Sequence, residues 1–123
     1  MKHPVVWFEV LGKDGDRLTE FYSELFGWRI DRNNPKKYGM VDTGTKTGIP
    51  GGVGAVAAGS RAGVTFYVAS DDLEASLARA QALGGRTVMA PSQFPGGPEL
   101  ALFEDPEGHL IGLVNENTSG TAA

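Results

Sequence analysis

Residues 8 to 30, FEVLGKDGDRLTEFYSELFGWRI, can be laid over residues 66 to 88, FYVASDDLEASLARAQALGGRTV, without a gap. At this offset of 58, five positions are identical: Phe8/Phe66, Val10/Val68, Asp14/Asp72, Leu25/Leu83 and Gly27/Gly85. Carried onward, the offset sets Pro50 to Val56 over Gly108 to Val114, with Gly54 on Gly112. A fixed internal period identifies a repeated structural unit, and two units of this length account for nearly the whole chain. Module one covers about residues 1–58 and module two about 59–117, within a single domain of residues 1–123, and 118–123 reads as a flexible tail.

Each module reads as β-α-β-β-β. Val5 to Val10 is a short apolar run that suits a strand. Leu18, Phe21, Tyr22 and Leu25 follow at helical spacing, with Gly27 as the stop. These four side chains are expected to lie against a sheet, each burial contributing about 1.5 to 3 kcal/mol before ordering entropy is subtracted. In module two the strand is Val64 to Val68, and Asp71 with Glu74 resembles a capping box for a helix carrying Leu73, Leu77, Ala80 and Leu83, ended by Gly84-Gly85. The remaining strands are expected at 28–31, 37–41 and 52–57, and at 86–89, 100–104 and 110–115. The Gly-rich intervals 43–54 and 91–98 read as loops, and the G-T-K-T stretch at Gly44 lacks the glycine spacing of a phosphate-binding loop.

Composition narrows the function classes. A chain of 123 residues with 41% hydrophobic and 21% charged residues is that of a folded globular domain. The net charge of −4, with no basic cluster larger than Lys36-Lys37, argues against nucleic acid. No stretch approaches a membrane span, and the N-terminal apolar run is too short for a secretory signal, so a cytoplasmic protein is expected. With no cysteine there are no disulfides, thiolate nucleophiles or sulfur metal sites.

Three further motifs are the D-x(6)-F-Y-x(3)-F-G-W block from Asp14 to Trp28, Y-V-x-x-D-D-L at Tyr67 to Leu73, and D-P-E-G-H at Asp105 to His109. Together and in this order they resemble the glyoxalase/bleomycin-resistance/extradiol-dioxygenase (vicinal oxygen chelate) superfamily. The resemblance implies an α+β fold: two tandem βαβββ modules whose mixed sheets curl into cups with the helices outside, paired around a cleft. A homodimer is implied, because small members often pair modules from two chains.

Metal-binding members of that superfamily hold the ion with His, Glu or Gln from the first and last strand of a module. Placed by distance to the motifs, those positions here are Trp7, Gly54, Thr65 and Gly112. An indole, two bare glycines and a lone hydroxyl are poor ligands, so neither metal nor other cofactor is expected. The two histidines offer no rescue: His109 reads as a turn residue and His3 as a mobile terminus.

Strand alternation gives the expected lining of the cup: Trp7 and Glu9, then Thr65 and Tyr67, then Leu110 and Gly112. Such a set, mostly apolar with few polar anchors, suits a small-molecule ligand. Glu9, a carboxylate within an apolar strand, either meets a ligand, acts as a general acid/base, or pairs with Arg29 or Arg86. Three readings follow: a metal-free ligand-binding protein of the bleomycin-resistance type, a glyoxalase-like lyase/isomerase or dioxygenase-type enzyme using Glu9, and an interaction module whose cleft is filled.

Overall fold

The computed structural model describes residues 2–118. The order of elements is β1 (Val5–Gly12), α1 (Gly15–Phe26), β2 (Arg29–Asp31), β3 (Gly39–Asp42), β4 (Gly51–Ala55), β5 (Gly63–Ala69), α2 (Leu73–Ala82), β6 (Arg86–Gln93), β7 (Glu99–Glu104) and β8 (Leu110–Asn115). A 3-10 turn, Glu116–Thr118, follows; of the tail expected over 118–123, residues 119–123 lie outside the described residues. The α+β, twice-repeated βαβββ order is therefore present. The chain forms two units, Trp7–Thr65 and the remainder.

In the first unit the strands run β2-β3-β4-β1, with β1 and β4 parallel and the other pairs antiparallel. Asp14 caps α1 by accepting from the Arg17 backbone N–H at 3.0 Å, and Gly27 ends it in the left-handed region at φ 71°. The sheet-facing residues of α1 are only partly the ones the spacing predicts: Leu18, against Gly12 of β1, and Tyr22 are half-buried. Gly15 and Thr19 are buried, whereas Phe21 and Leu25 are 55% and 58% exposed. The cause is close approach: a Cβ on Gly15 would stand 2.8 Å from the Ala55 nitrogen, so only small residues fit there. The larger rings are displaced sideways into an aromatic ladder in which Tyr22 stacks on Trp28 at 5.8 Å and Trp28 meets Phe8 at 5.7 Å.

In the second unit the order is β5-β8-β7-β6, again with one parallel pair, β5 and β8. Leu73 and Leu77 of α2 pack on Ala101 and Leu113, flanked by Val68 and Phe103. Leu83, expected on this face, is exposed, because the helix ends at Ala82. The N-cap is Asp72, accepting from Ala75 at 3.0 Å, rather than Asp71. Strand β6 runs on through Pro91 to Gln93, where a loop is expected, with register shifts that accommodate the proline on this outer strand. His3 is tied down: its Nδ1 lies 2.9 Å from the Ala69 carbonyl, and Ala69 N–H donates to the Pro4 carbonyl.

The repeat is exact at the helix starts and slips at both ends beyond them. Asp14 and Asp72 cap in the same way at the same offset. At the helix ends, Gly27 is left-handed but its counterpart in that role is Gly84, not Gly85. On the last strands, Glu9 pairs with Gly52 whereas Tyr67 pairs with Gly112. Gly52 thus stands to β1 as Gly112 stands to β5, two residues away from the ungapped alignment. A slip of two keeps every side chain on its face. Asp14→Ala and Asp72→Ala are each expected to cost about 1 kcal/mol, the usual value of a side-chain N-cap, measured by urea denaturation.

Candidate functional site

Phe8 meets the aromatic ladder of α1, so alternation turns Trp7 and Glu9 of β1 toward the opposite face of the first sheet. On β4, Gly51 lies beneath the Phe8 ring, while Gly52 and Gly54 lie on the face of Trp7 and Glu9. Tyr38, immediately before β3, uses that bare strip. Its ring crosses β4 over Gly54 and Gly52, so that its hydroxyl reaches β1 two strand spacings away, each about 4.8 Å. There Trp7 Nε1–H donates to the Tyr38 hydroxyl at 3.0 Å, and that hydroxyl donates to Glu9 Oε2 at 2.9 Å. The direction is fixed, because an indole nitrogen can only donate and a carboxylate can only accept.

This chain of contacts gives Glu9 one partner. Half-buried in an apolar strand, it is met by the Tyr38 hydroxyl. Arg86 instead pairs with Glu104 at 2.8 Å, and Arg29 is exposed on β2. Trp7 and Glu9 are thus brought together as expected, through a tyrosine that the strand pattern does not flag. The signal available was the Gly52-x-Gly54 strip, but it identifies Tyr38 only once β3 is known to lie beside β4.

In the second unit a tyrosine again covers a glycine. A Cβ on Gly112 would fall inside the Tyr67 ring, and the two residues are register partners. Leu110 sits two residues before Gly112 on the same face of β8, level with Glu104 of β7. Thr65 and Tyr67 are 8% and 7% exposed, so they offer little surface to a ligand, whereas Trp7, Glu9 and Tyr38 are only half-buried. His109 belongs to its turn: its ring Nδ1 and backbone N–H bond Asp105 at 2.9 and 3.0 Å. The backbone N–H of His109 is the chief cause that holds the Asp105 carboxyl below the usual carboxylate range.

The positions that would carry metal ligands do not fit a metal. Trp7 offers only an N–H donor, already used by Tyr38. A carboxylate placed at Gly52 or Gly112 would have to displace Tyr38 or Tyr67. Among the described residues no group of three His, Cys, Asp or Glu side chains converges.

Residues 7–114 match the family model of the glyoxalase-like domain. The chain belongs to the glyoxalase-like domain family. Anthracycline biosynthesis protein DnrV of Streptomyces peucetius is 29% identical to it over 118 residues, covering 83% of this chain and 43% of that one. A glyoxylase-like domain-containing protein of Didymella fabae is 31% identical, covering 82% and 84% of the two chains. A solved structure of a glyoxalase/bleomycin resistance protein/dioxygenase superfamily member from Vibrio splendidus superposes with a TM-score of 0.62 at 19% identity, covering 93% of this chain and 99% of that one. This glyoxalase-like domain spans less than half the length of its Streptomyces relative. No helix among the described residues is long and apolar enough to cross a membrane.

Proposed function

We propose that this glyoxalase-like domain is a metal-free small-molecule-binding protein of the bleomycin-resistance type, holding a flat ligand on its aromatic face. The observation that carries this reading is the placement of Tyr38 and Tyr67 rings on the last-strand glycines, in the space a metal-binding carboxylate would need. Trp7 supplies a half-buried ring for stacking, and Glu9 supplies a carboxylate already held by Tyr38. Aromatic walls with one or two polar anchors are the usual composition of such sites. The Streptomyces relative's name suggests a probe, a planar anthracycline aglycone with phenolic O–H donors.

Isothermal titration of the purified protein with that aglycone is expected to give saturable binding. Glu9→Gln is expected to weaken it more than tenfold, since a hydrogen bond to a charged partner contributes about 1.5 to 3 kcal/mol. Absence of saturable binding, or affinity indifferent to both Glu9→Gln and Trp7→Ala, would remove the proposal. The Tyr38–Glu9 bond favours a second reading, in which Glu9 is the acid/base of a lyase, isomerase or dioxygenase-type reaction. Recovery of the aglycone chemically altered, with alteration lost in Glu9→Gln, would put that reading first. The burial of Thr65 and Tyr67 is what a filled-cleft interaction module would rest on.

The same proposal includes a homodimer in the cytoplasm. The exposed α1 surface of Phe21, Leu25 and Phe26 supports the dimer, because contiguous apolar surface is costly to leave in water. Sedimentation equilibrium is expected to return twice the chain mass.

A further inference from the structure

Tyr38 reaches Glu9 only if the residues before it aim it across β4. Lys37 is, among the described residues, the one non-glycine with a positive φ, at 54°, a left-handed conformation that side chains with a Cβ disfavour. It stands directly before Tyr38. Asn34 holds the turn closed from within: its side-chain Nδ2 donates to the Tyr38 carbonyl at 2.7 Å, and its Oδ1 accepts from the Tyr38 N–H at 2.9 Å. One amide therefore satisfies both backbone polar groups of the residue, as a neighbouring strand would. Asn34 is itself anchored, its N–H donating to the Arg32 carbonyl at 2.9 Å and its carbonyl accepting from Lys37 N–H at 3.0 Å. Arg32 Nε reaches back to the Lys37 carbonyl at 3.1 Å, and its guanidinium pairs with Asp16 of α1 at 2.6 Å. That pairing holds the Asp16 carboxyl below its usual range.

We infer that Asn34 is the positioning residue of the Trp7–Tyr38–Glu9 site: its side-chain amide, bonded to both backbone groups of Tyr38, keeps Lys37 left-handed and directs the Tyr38 hydroxyl at Glu9. Strained backbone that persists at a site is backbone the surroundings over-determine. Here the restraints converge on the residue whose ring crosses β4 to reach β1. The inference adds to the binding proposal the device that sets its polar anchor, and it rests on that proposal only for what the anchor meets.

The test uses the ligand-free, full chain, so it is independent of whether the site binds the aglycone. Trp7 and Trp28 give two indole N–H resonances in a nitrogen-15 correlation spectrum, and Trp7→Phe identifies the first by its loss. Tyr38→Phe retains the ring but removes the acceptor, so it should shift the Trp7 resonance and raise its solvent exchange more than tenfold. Asn34→Ala is expected to produce at least half of that shift and a similar rise in exchange, while the Trp28 resonance stays in place. Asn34→Asp keeps the acceptor for Tyr38 N–H but lacks the amide donor, and should fall between. Lys37→Gly relieves the left-handed strain, so it should raise Tm without moving the Trp7 signal. A Trp7 resonance that moves in Tyr38→Phe but not in Asn34→Ala or Asn34→Asp would overturn the inference, as would one indifferent to Tyr38→Phe. Should Asn34→Ala fail to fold, Asn34→Asp carries the comparison.

Discussion

Gly112→Ala is expected to lower stability by about 1 to 3 kcal/mol, the usual cost of forcing an extra methyl into a filled space. The methyl would land within the Tyr67 ring, against Cγ, Cδ2 and Cε2, and the ring is buried, so it has no exposed rotamer to move into without cost. Backbone strain plays no part, because Gly112 is not among the glycines with positive φ. This gives the prediction a sign reversal as its check. In a Tyr67→Ala background the space is open, and Gly112→Ala should become neutral or stabilising by about 0.4 to 1 kcal/mol through the reduced entropy of the unfolded chain. Tyr67→Ala alone should cost about 3 to 5 kcal/mol, as for other large buried rings. Denaturant melts of the four proteins of this cycle measure the coupling. An equal cost for Gly112→Ala in both backgrounds would mean the ring and the glycine are not in contact.

Gly52→Ala is expected to act differently, although its methyl also meets a tyrosine. Here the clash falls on the hydroxyl end of Tyr38, the far end of a half-buried side chain that can swing aside. Stability should therefore fall less than in Gly112→Ala, while the hydrogen bonds from Trp7 and to Glu9 are both lost. The lost Tyr38–Glu9 bond is internal to the protein and acts on the ligand only by orienting Glu9, so aglycone affinity should drop, but by less than in Glu9→Gln. Calorimetric titration alongside a urea melt separates the two effects. A large stability loss with unchanged affinity would place Tyr38 in a structural role alone.

How much of this was legible in the sequence differs from residue to residue. The helix starts were legible to within a residue: an Asp side chain that accepts from the backbone three residues on is a local device, but the Asp71-Glu74 spacing pointed to Asp71 where Asp72 is the cap, in register with Asp14. The β-α-β-β-β order was legible for the same reason, as was the common face of Trp7 and Glu9. The sheet-facing side of α1 was legible only in part, through Leu18 and Tyr22. Apolar spacing pointed to Phe21 and Leu25, but the separation of helix and strand is set by Gly15 against Ala55, a contact between elements far apart in sequence. Register on the last strands depends on the lengths of intervening turns, so the ungapped match of Gly54 to Gly112 missed a shift of two. Gly54 and Gly112 read as missing metal ligands, whereas Gly52, the register counterpart of Gly112, does not. What occupies their space was invisible: Tyr67 is adjacent only through β5–β8 pairing, and Tyr38 reaches Glu9 only across β4. Asn34 was likewise hidden, since an Asn-Pro-Lys-Lys run reads as an ordinary polar turn until its amide is seen bonding Tyr38.

Tyrosine rings in the space a metal-binding carboxylate would need should leave the protein without metal. The untagged protein would be incubated with Zn, Ni, Mn and Fe(II) in turn, desalted, and analysed for metal per chain, beside the variants Tyr38→Ala and Tyr67→Ala. The native protein is expected to hold well below one metal per chain with every ion, and to show no shift in Tm. One tightly held metal per chain, lost in Glu9→Gln, would contradict this and make Glu9 a ligand.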